Sequence, residues 1–374
     1  MLTKGVPSTF ANVKALYQDA EKKKTIQELV EGYASEDTTN GSTDAKTNGT
    51  SSSTFEQSVY YFLAQHYNFH LSRDLEKAML YIEKAIELAP KSVDFAMTKA
   101  RVLKHYGDFE KASEQMNHAR GLDEKDRYIN TKCAKYQLRN NENDAAIKTM
   151  SKFTRNETVG GPLGDLHDMQ CMWYISEDGE AYHRQGKLSL ALKRFTAIHD
   201  IFDIWQEDQF DFHSFSLRKG QIRAYVDMLR WEDRLREHPF YSRAAINGIK
   251  VYLQLHEKPY TNGVSELDGL DAKARKKAAA KLRKEQERLE AERKEAEKKK
   301  KPGTGGDGEP KKEDPDPQGL KLVQTEKPLE DAMKFLQPLL DMSPKKIEGQ
   351  VIGFEVYIRR SKPPLTRITR NERY

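Results

Sequence analysis

The sequence predicts an all-α fold: a right-handed solenoid of helical hairpins, with a charged single helix and a flexible linker near the C-terminus. Three observations predict it. Ala78, Ala112 and Ala146 recur at intervals of 34 residues. Four residues after each comes Ile82, Met116 or Met150, and seven after each comes Ala85, Ala119 or Phe153. The composition, 37% hydrophobic and 32% charged over 374 residues, suits a long, thin core and not one large globular one.

Small side chains at fixed positions let two antiparallel helices approach closely, and a bulky one a turn later fills the groove between them. A period of 34 residues with this pattern is that of the tetratricopeptide repeat. The first helices keep the register through Tyr60, Leu63, Ala64 and Tyr67, then Ala100 and Leu103, then Ala134. Pro90 closes the first hairpin. The stretch from Tyr67 to Ala78 is longer than the repeat requires, so the turn at Asn68 to Asp74 is expected to bulge. A fourth unit follows in Gly179, Tyr182, Gly186, Ala191, Phe195 and Ile198, displaced by an insertion near Gly160 to Gly164 that reads as a loop.

In chain order, residues 1–33 carry helical spacing through Phe10, Val13, Leu16, Tyr17, Ile26, Leu29 and Val30. They read as the remnant of a preceding helical repeat without a complete partner in the chain. Residues 34–54 are too polar to offset their ordering entropy and are expected to be a disordered loop. The repeats occupy 55–207, and atypical helices of the same kind occupy 208–258, where Pro239 is placed to open a helix. Residues 259–301 read as a charged basic helix, and its segment Ala272 to Lys301 has a net charge of +8 in a chain whose total is +5. Only Leu282 and Leu289 are bulky and apolar there, so it has no face wide enough to join a core. Residues 302–320 read as a flexible linker, 321–360 as a helical hairpin and 361–374 as an unstructured tail.

Several functional classes lack their residues. Cys133 and Cys171 are the only cysteines and form no C-x-x-C, which implies neither a disulfide framework nor a thiolate metal site and suits a cytoplasmic protein. No apolar run is long enough to cross a membrane and no secretory signal core is present, so the sequons at Asn40, Asn48 and Asn156 read as incidental. The glycines of Gly303 to Gly308 have no strand before them and no helix after them, as a phosphate loop requires. Asp208 to His213 places two carboxylates and an imidazole together, but without a third ligand cluster it reads as an inter-repeat turn. His167 with Asp168 is a weaker pair of the same kind. No catalytic residue and no metal ligand is assigned.

Surface residues remain as candidates. The first helix of each hairpin lines the concave side of such a repeat, and its ninth, twelfth and thirteenth positions include Arg101, Lys104, Lys135, Arg139 and Arg184. These cations are either an ordinary solvated helix face or a basic ridge for a polyanion or acidic partner, since a concavity focuses the field of clustered charge. The second positions add Tyr128 and Trp173, which are either core aromatics or interface anchors. For the charged helix the choice lies between a solvated spacer and a non-specific contact with a nucleic-acid backbone through Lys276, Lys277, Lys281, Arg283 and Lys284. It has no interleaved aromatics for base stacking.

Longer matches point further: Gly5 to Asp19, Tyr60 to Tyr67, Arg127 to Tyr136, Met169 to Trp173, Asp208 to His213, Arg223 to Asp227, Glu237 to Tyr241 and Phe354 to Tyr357. Through these, collinear over nearly the whole chain, the sequence resembles the auxiliary subunit family of the NatA N-terminal acetyltransferase. The resemblance implies a non-catalytic scaffold that wraps a smaller catalytic subunit of the GNAT class and anchors it to the ribosome for cotranslational acetylation. It also implies inositol hexakisphosphate at the subunit junction, for which Arg101, Lys104, Arg127, Lys132 and Lys135 are the candidates. Family members are longer, so a fragment lacking the N-terminal repeats is expected, and after Arg360 the sequence leaves the family pattern. The competing reading is a general repeat adaptor or co-chaperone that grips an acidic protein segment.

Overall fold

A computed structural model describes residues 1–39, 49–258 and 314–360; within its helices the side chains at 36–39, 49–53 and 209–213 are not described. All regular structure among the described residues is helical. The chain divides into two compact units, Met1–Asn156 and Glu157–Tyr374.

The first unit contains α1 (Thr9–Val13), α2 (Ala20–Thr39), α3 (Gly49–Asn68), α4 (Leu75–Leu88), α5 (Val93–Tyr106), α6 (Phe109–Leu122), α7 (Arg127–Arg139) and α8 (Asn143–Met150). Helices α3/α4, α5/α6 and α7/α8 pack as successive hairpins. Helix α2 starts on Asp19, which accepts the Lys22 N–H at 3.2 Å, and helices α4 to α7 each start on a side-chain cap as well. Asp74, Ser92, Asp108 and Asp126 accept the backbone N–H of Lys77, Phe95, Lys111 and Ile129, satisfying donors that the first turn leaves orphaned. The repeat alanines Ala78, Ala112 and Ala146 are wholly buried, and Ile82, Ala85, Met116, Ala119 and Met150 are buried with them. Phe153 departs from the pattern. Helix α8 stops at Met150, and Ser151–Phe153 is a 3-10 turn in which the Ser151 hydroxyl donates to the Lys148 carbonyl at 2.7 Å. Such local bonding competes with the helical ladder, and Phe153 is left half-buried.

The N-terminal stretch is not an unpartnered remnant. Phe10 and Tyr17 pack edge-on against Phe62, His66 and Phe69, and Val30 of α2 is buried in the same core. Gly5, at φ 62°, lies so close to α3 that a Cβ there would meet Thr54 at 2.9 Å. The expected loop 34–54 is also shorter than its composition suggests. Helix α2 runs to Thr39 and α3 resumes at Gly49, and the Tyr33 and Phe55 rings meet at 5.6 Å. Tertiary contacts of this kind stabilise helical turns whose own propensity is poor. Residues 40–48 lie outside the described residues.

The second unit contains α9 (Gly161–Asp168), α10 (Met172–Arg184), α11 (Leu188–Arg218), α12 (Ile222–Glu232), α13 (Pro239–Glu257), α14 (Leu320–Val323), α15 (Pro328–Met342) and α16 (Ile347–Arg359). The insertion read as a loop is the helix α9. Its glycines and proline work at the helix start: Gly160 is left-handed at φ 82°, Pro162 sits in the first turn, and a Cβ on Gly164 would meet the Val159 carbonyl at 2.0 Å. Helix α11 runs unbroken through the expected boundary at 207/208, because nothing from Leu188 to Arg218 interrupts a helix. Asp208 to His213 is therefore helical backbone and not a turn. Pro239 opens α13 as expected, with His238 Nδ1 accepting the Phe240 N–H at 3.2 Å.

One core joins Phe195, Ile198 and Phe202 of α11, Ala245, Ile249 and Tyr252 of α13 and Phe335, Leu336 and Leu339 of α15. Two ion-pair groups tie α10 into it, the first buried on both sides and the second partly buried. Arg194 meets Asp178 at 2.6 Å, and Arg243 bridges Glu177 at 3.2 Å and Glu180 at 2.5 Å. The end of the expected linker is docked, not flexible. Asp314 pairs with Lys193 at 2.8 Å, Asp316 accepts the N–H groups of Leu320 and Lys321, and Val323 is buried. The charged segment Ala272 to Lys301 and the tail 361–374 lie outside the described residues.

Candidate binding surface

The basic residues of the first unit gather on the first helices of its hairpins. Arg101 and Lys104 stand one turn apart on α5, and Tyr128, Lys132, Lys135 and Arg139 fall on one stripe of α7. The charges act on one another. Burial, and then the fields of Arg139, Arg101, Arg73 and Lys135, bring Lys104 down to about 8. His105 is pushed to about 4 by burial and by Lys104, Arg73, Arg101 and Arg139, so it is neutral at pH 7 and shares a hydrogen bond with Asn68.

Arg73 belongs to this group and was missed in the sequence, because the repeat register assigns concave positions only on helices. It sits in the turn between α3 and α4, where its guanidinium donates to the Asn68 carbonyl at 3.4 Å. The available signal was the lengthened turn itself, which gives the chain room to carry a cation beside α5.

Of the other candidates, Arg127 opens α7 and is exposed. Lys132 holds its ammonium 5.0 Å from the Tyr128 ring centre, a cation–π contact. Tyr128 is itself 57% exposed, so in this chain it is not a core aromatic. Trp173 and Arg184 belong to the second unit, at opposite ends of α10. Trp173 is half-buried with its ring 5.6 Å from Tyr174, and Arg184 is exposed. Lys276, Lys277, Lys281, Arg283 and Lys284 lie outside the described residues.

Chemistry-bearing groups elsewhere serve packing. Cys133 is buried, and desolvation pushes its thiol up to about 11. Burial, with Arg194 and Lys193 nearby, drives His167 to about 4. Among the described residues His199, Asp200 and Asp203 come close enough to share a metal ion. Asp203, however, already takes the guanidinium of Arg236 at 2.5 Å and the His199 ring at 3.1 Å, and its charge is matched without an ion. No helix among the described residues is long and apolar enough to cross a membrane.

Comparison with known proteins places the chain in a family. Residues 1–368 match the family model described as N-terminal acetyltransferase A, auxiliary subunit. The chain is 40% identical over 365 residues to the N-terminal acetyltransferase A complex auxiliary subunit NAA15 of Arabidopsis thaliana, covering 97% of this chain and 40% of that protein. It is likewise 40% identical over 375 residues to the human N-alpha-acetyltransferase 16, NatA auxiliary subunit, covering 96% of this chain and 43% of that protein. A solved structure of Naa15/Naa10 bound to HypK-THB matches with a TM-score of 0.75 and 52% identity, over 97% of this chain and 45% of that one. The chain thus spans less than half the length of these relatives.

Proposed function

The chain belongs to the family of NatA auxiliary subunits, and from that premise we propose that it is a scaffold, not itself catalytic, for a GNAT-class acetyltransferase subunit in the cytoplasm. The observation that carries this reading is the match over residues 1–368, together with 52% identity to Naa15 in a structure that also contains Naa10. Tyr128 and Arg139 on α7, with Trp173 and Arg184 on α10, are the contacts proposed for the catalytic partner. An exposed tyrosine beside an ammonium is a surface that gains by being covered, since the ring area that Lys132 does not cover leaves water on association.

The basic group on α5 and α7 is proposed to hold a polyanion, inositol hexakisphosphate being the ligand in view. Burial, and then the repulsion of the neighbouring cations, bring Lys104 down to about 8, and a polyphosphate would offset the repulsive part by supplying the opposite charge. The residues proposed to bind it are Arg101, Lys104, Arg127, Lys132 and Lys135. Replacing the five by Glu is expected to abolish the calorimetric signal with inositol hexakisphosphate, and an unchanged affinity rules the assignment out. The segment Ala272 to Lys301, at +8, is proposed as the contact to ribosomal RNA, through Lys276, Lys277, Lys281, Arg283 and Lys284.

The scaffold reading is tested by co-expression with a NatA-type catalytic subunit, size-exclusion chromatography and an acetylation assay on peptides starting with Ser or Ala. A one-to-one peak whose activity the scaffold alone lacks is expected. Separate elution of the two chains contradicts the reading for this length of chain.

A further inference from the structure

A cavity of about 140 Å³ opens in the first unit between the segment 5–10 and the first helices α3 and α5. Small-molecule sites are typically about 300–1,000 Å³, so this one has room for a single side chain and not for a cofactor. Gln57, Tyr61, Phe62 and Gln65 of α3 line it, with Asp94 and Phe95 of α5. Asp94 is the only charged residue among its described lining. It is exposed, and it enters no hydrogen bond or ion pair among the described residues. Gln65 gives its amide nitrogen to the Tyr61 carbonyl at 3.4 Å, which leaves the side-chain oxygen as what it offers a ligand. The Tyr61 and Phe95 rings lie 4.8 Å apart, tilted by 41°. A carboxylate, an amide oxygen and two π-systems all favour a cation with a carbon stem.

We propose that this cavity receives a lysine or arginine side chain of the catalytic partner. The occupant rests on the scaffold reading above; the charge preference rests on the cavity alone. Its position supports a protein segment as the source. Asp94 and Arg101 both act on the Tyr61 hydroxyl, and they stand seven residues apart on α5, about 10 Å along the helix. The α5 face is therefore acidic at one end and basic at the other. A partner segment lying along it meets charge complementarity in only one direction, with a basic residue over Asp94 and its acidic end towards Arg101 and Lys104, whose charge it shares with the polyanion proposed above. Complementarity of this kind sets register as well as affinity.

The test is the dissociation constant between the full chain and a NatA-type catalytic subunit, measured for the unsubstituted chain and for Asp94→Asn, Asp94→Arg and Gln65→Phe, each with a thermal melt as a folding control. The first variant keeps the shape and removes the charge, the second reverses it, and the third fills the cavity. Affinity is expected to fall about tenfold for Asp94→Asn and further for Asp94→Arg, mainly through faster dissociation. One Lys/Arg→Asp change in the catalytic subunit is expected to restore binding to Asp94→Arg. Unchanged affinity in both Asp94 variants, with the unsubstituted chain binding well, overturns the proposal while leaving the scaffold reading intact. Failure of the unsubstituted chain to bind overturns the scaffold reading, and the proposed occupant with it.

Discussion

Lys104 shows how much a single side chain reports about its surroundings. Its ammonium falls from an ordinary value of 10.5 to about 8 because it is half-buried beside four other cations. Between those two pH values the folded chain has released a proton that the unfolded chain keeps, so stability rises with pH across that window and the full penalty applies below about 8. Lys104→Met is accordingly expected to raise the melting temperature at pH 7 by about 1–3 °C, a figure discounted for solvent screening, with the gain shrinking by pH 10. A melting temperature lowered at pH 7 would contradict this account. The same titration governs the proposed polyanion site. Calorimetric affinity for inositol hexakisphosphate is expected to weaken from pH 7 to pH 9, as Lys104 loses its charge, and Lys104→Arg is expected to flatten that dependence. The Asp178–Arg194 pair is the opposite case: side chains 3% and 6% exposed, joined at 2.6 Å. Arg194→Met leaves the Asp178 carboxylate without its guanidinium and is expected to cost about 3 kcal/mol. Adding Asp178→Asn should recover part of that loss in urea denaturation.

The decisive element-scale contacts are close approaches between helices. Gly179 lies where α10 meets α11, and a Cβ there would fall 2.8 Å from the Phe195 ring and 2.9 Å from the Arg194 Cβ. Gly179→Ala is expected to destabilise by about 1–3 kcal/mol through overpacking, although alanine is the better helix former. A Cβ on Gly32 in α2 would meet nothing within 4 Å, so Gly32→Ala is expected to stabilise by about 0.5–1 kcal/mol. Chemical denaturation of the two variants therefore gives shifts of opposite sign, and shifts of the same sign would refute the packing argument. The 34-residue spacing made the alanine positions of α4, α6 and α8 legible, because each reports which side chains must be small. It gave no information on helix length. The end of α8 was set by the local bonding of Ser151, and the continuity of α11 by the absence of any breaker over 31 residues.

For the whole molecule, the question is which surface does which task. The basic group of α5 and α7 belongs to the first unit, and the chain outside Ala272 to Lys301, this group included, sums to −3. Deleting Ala272 to Lys301 is expected to leave pairing with a catalytic subunit intact while co-sedimentation with ribosomes weakens. Sedimentation of the deleted form equal to that of the full chain would remove the segment from that role, and the full chain's own binding should decline steeply with ionic strength if backbone contacts carry it. The segment's flanks bear on the design of such a deletion: α13 ends at Glu257, and the chain is pinned again at Asp314 on Lys193. A deletion kept between those anchors leaves the docked α14 in place.

Residue spacing alone determined the helical class, the repeat register, the helix-opening role of Pro239, the basic character of α5 and α7 and the family resemblance. Each of these depends on side chains a few positions apart, which local geometry brings to one face whatever lies opposite. Tertiary structure alone decided what covers each face. Phe10 and Tyr17 proved to be core residues because α3 presents Phe62, His66 and Phe69 to them. Arg73 joined the basic group from a turn that the repeat register does not index. Glycines and a proline that read as a loop capped α9, and a polar linker ended as a docked anchor. In every case the partner lies far along the chain or in an irregular turn, and periodicity carries no record of such contacts.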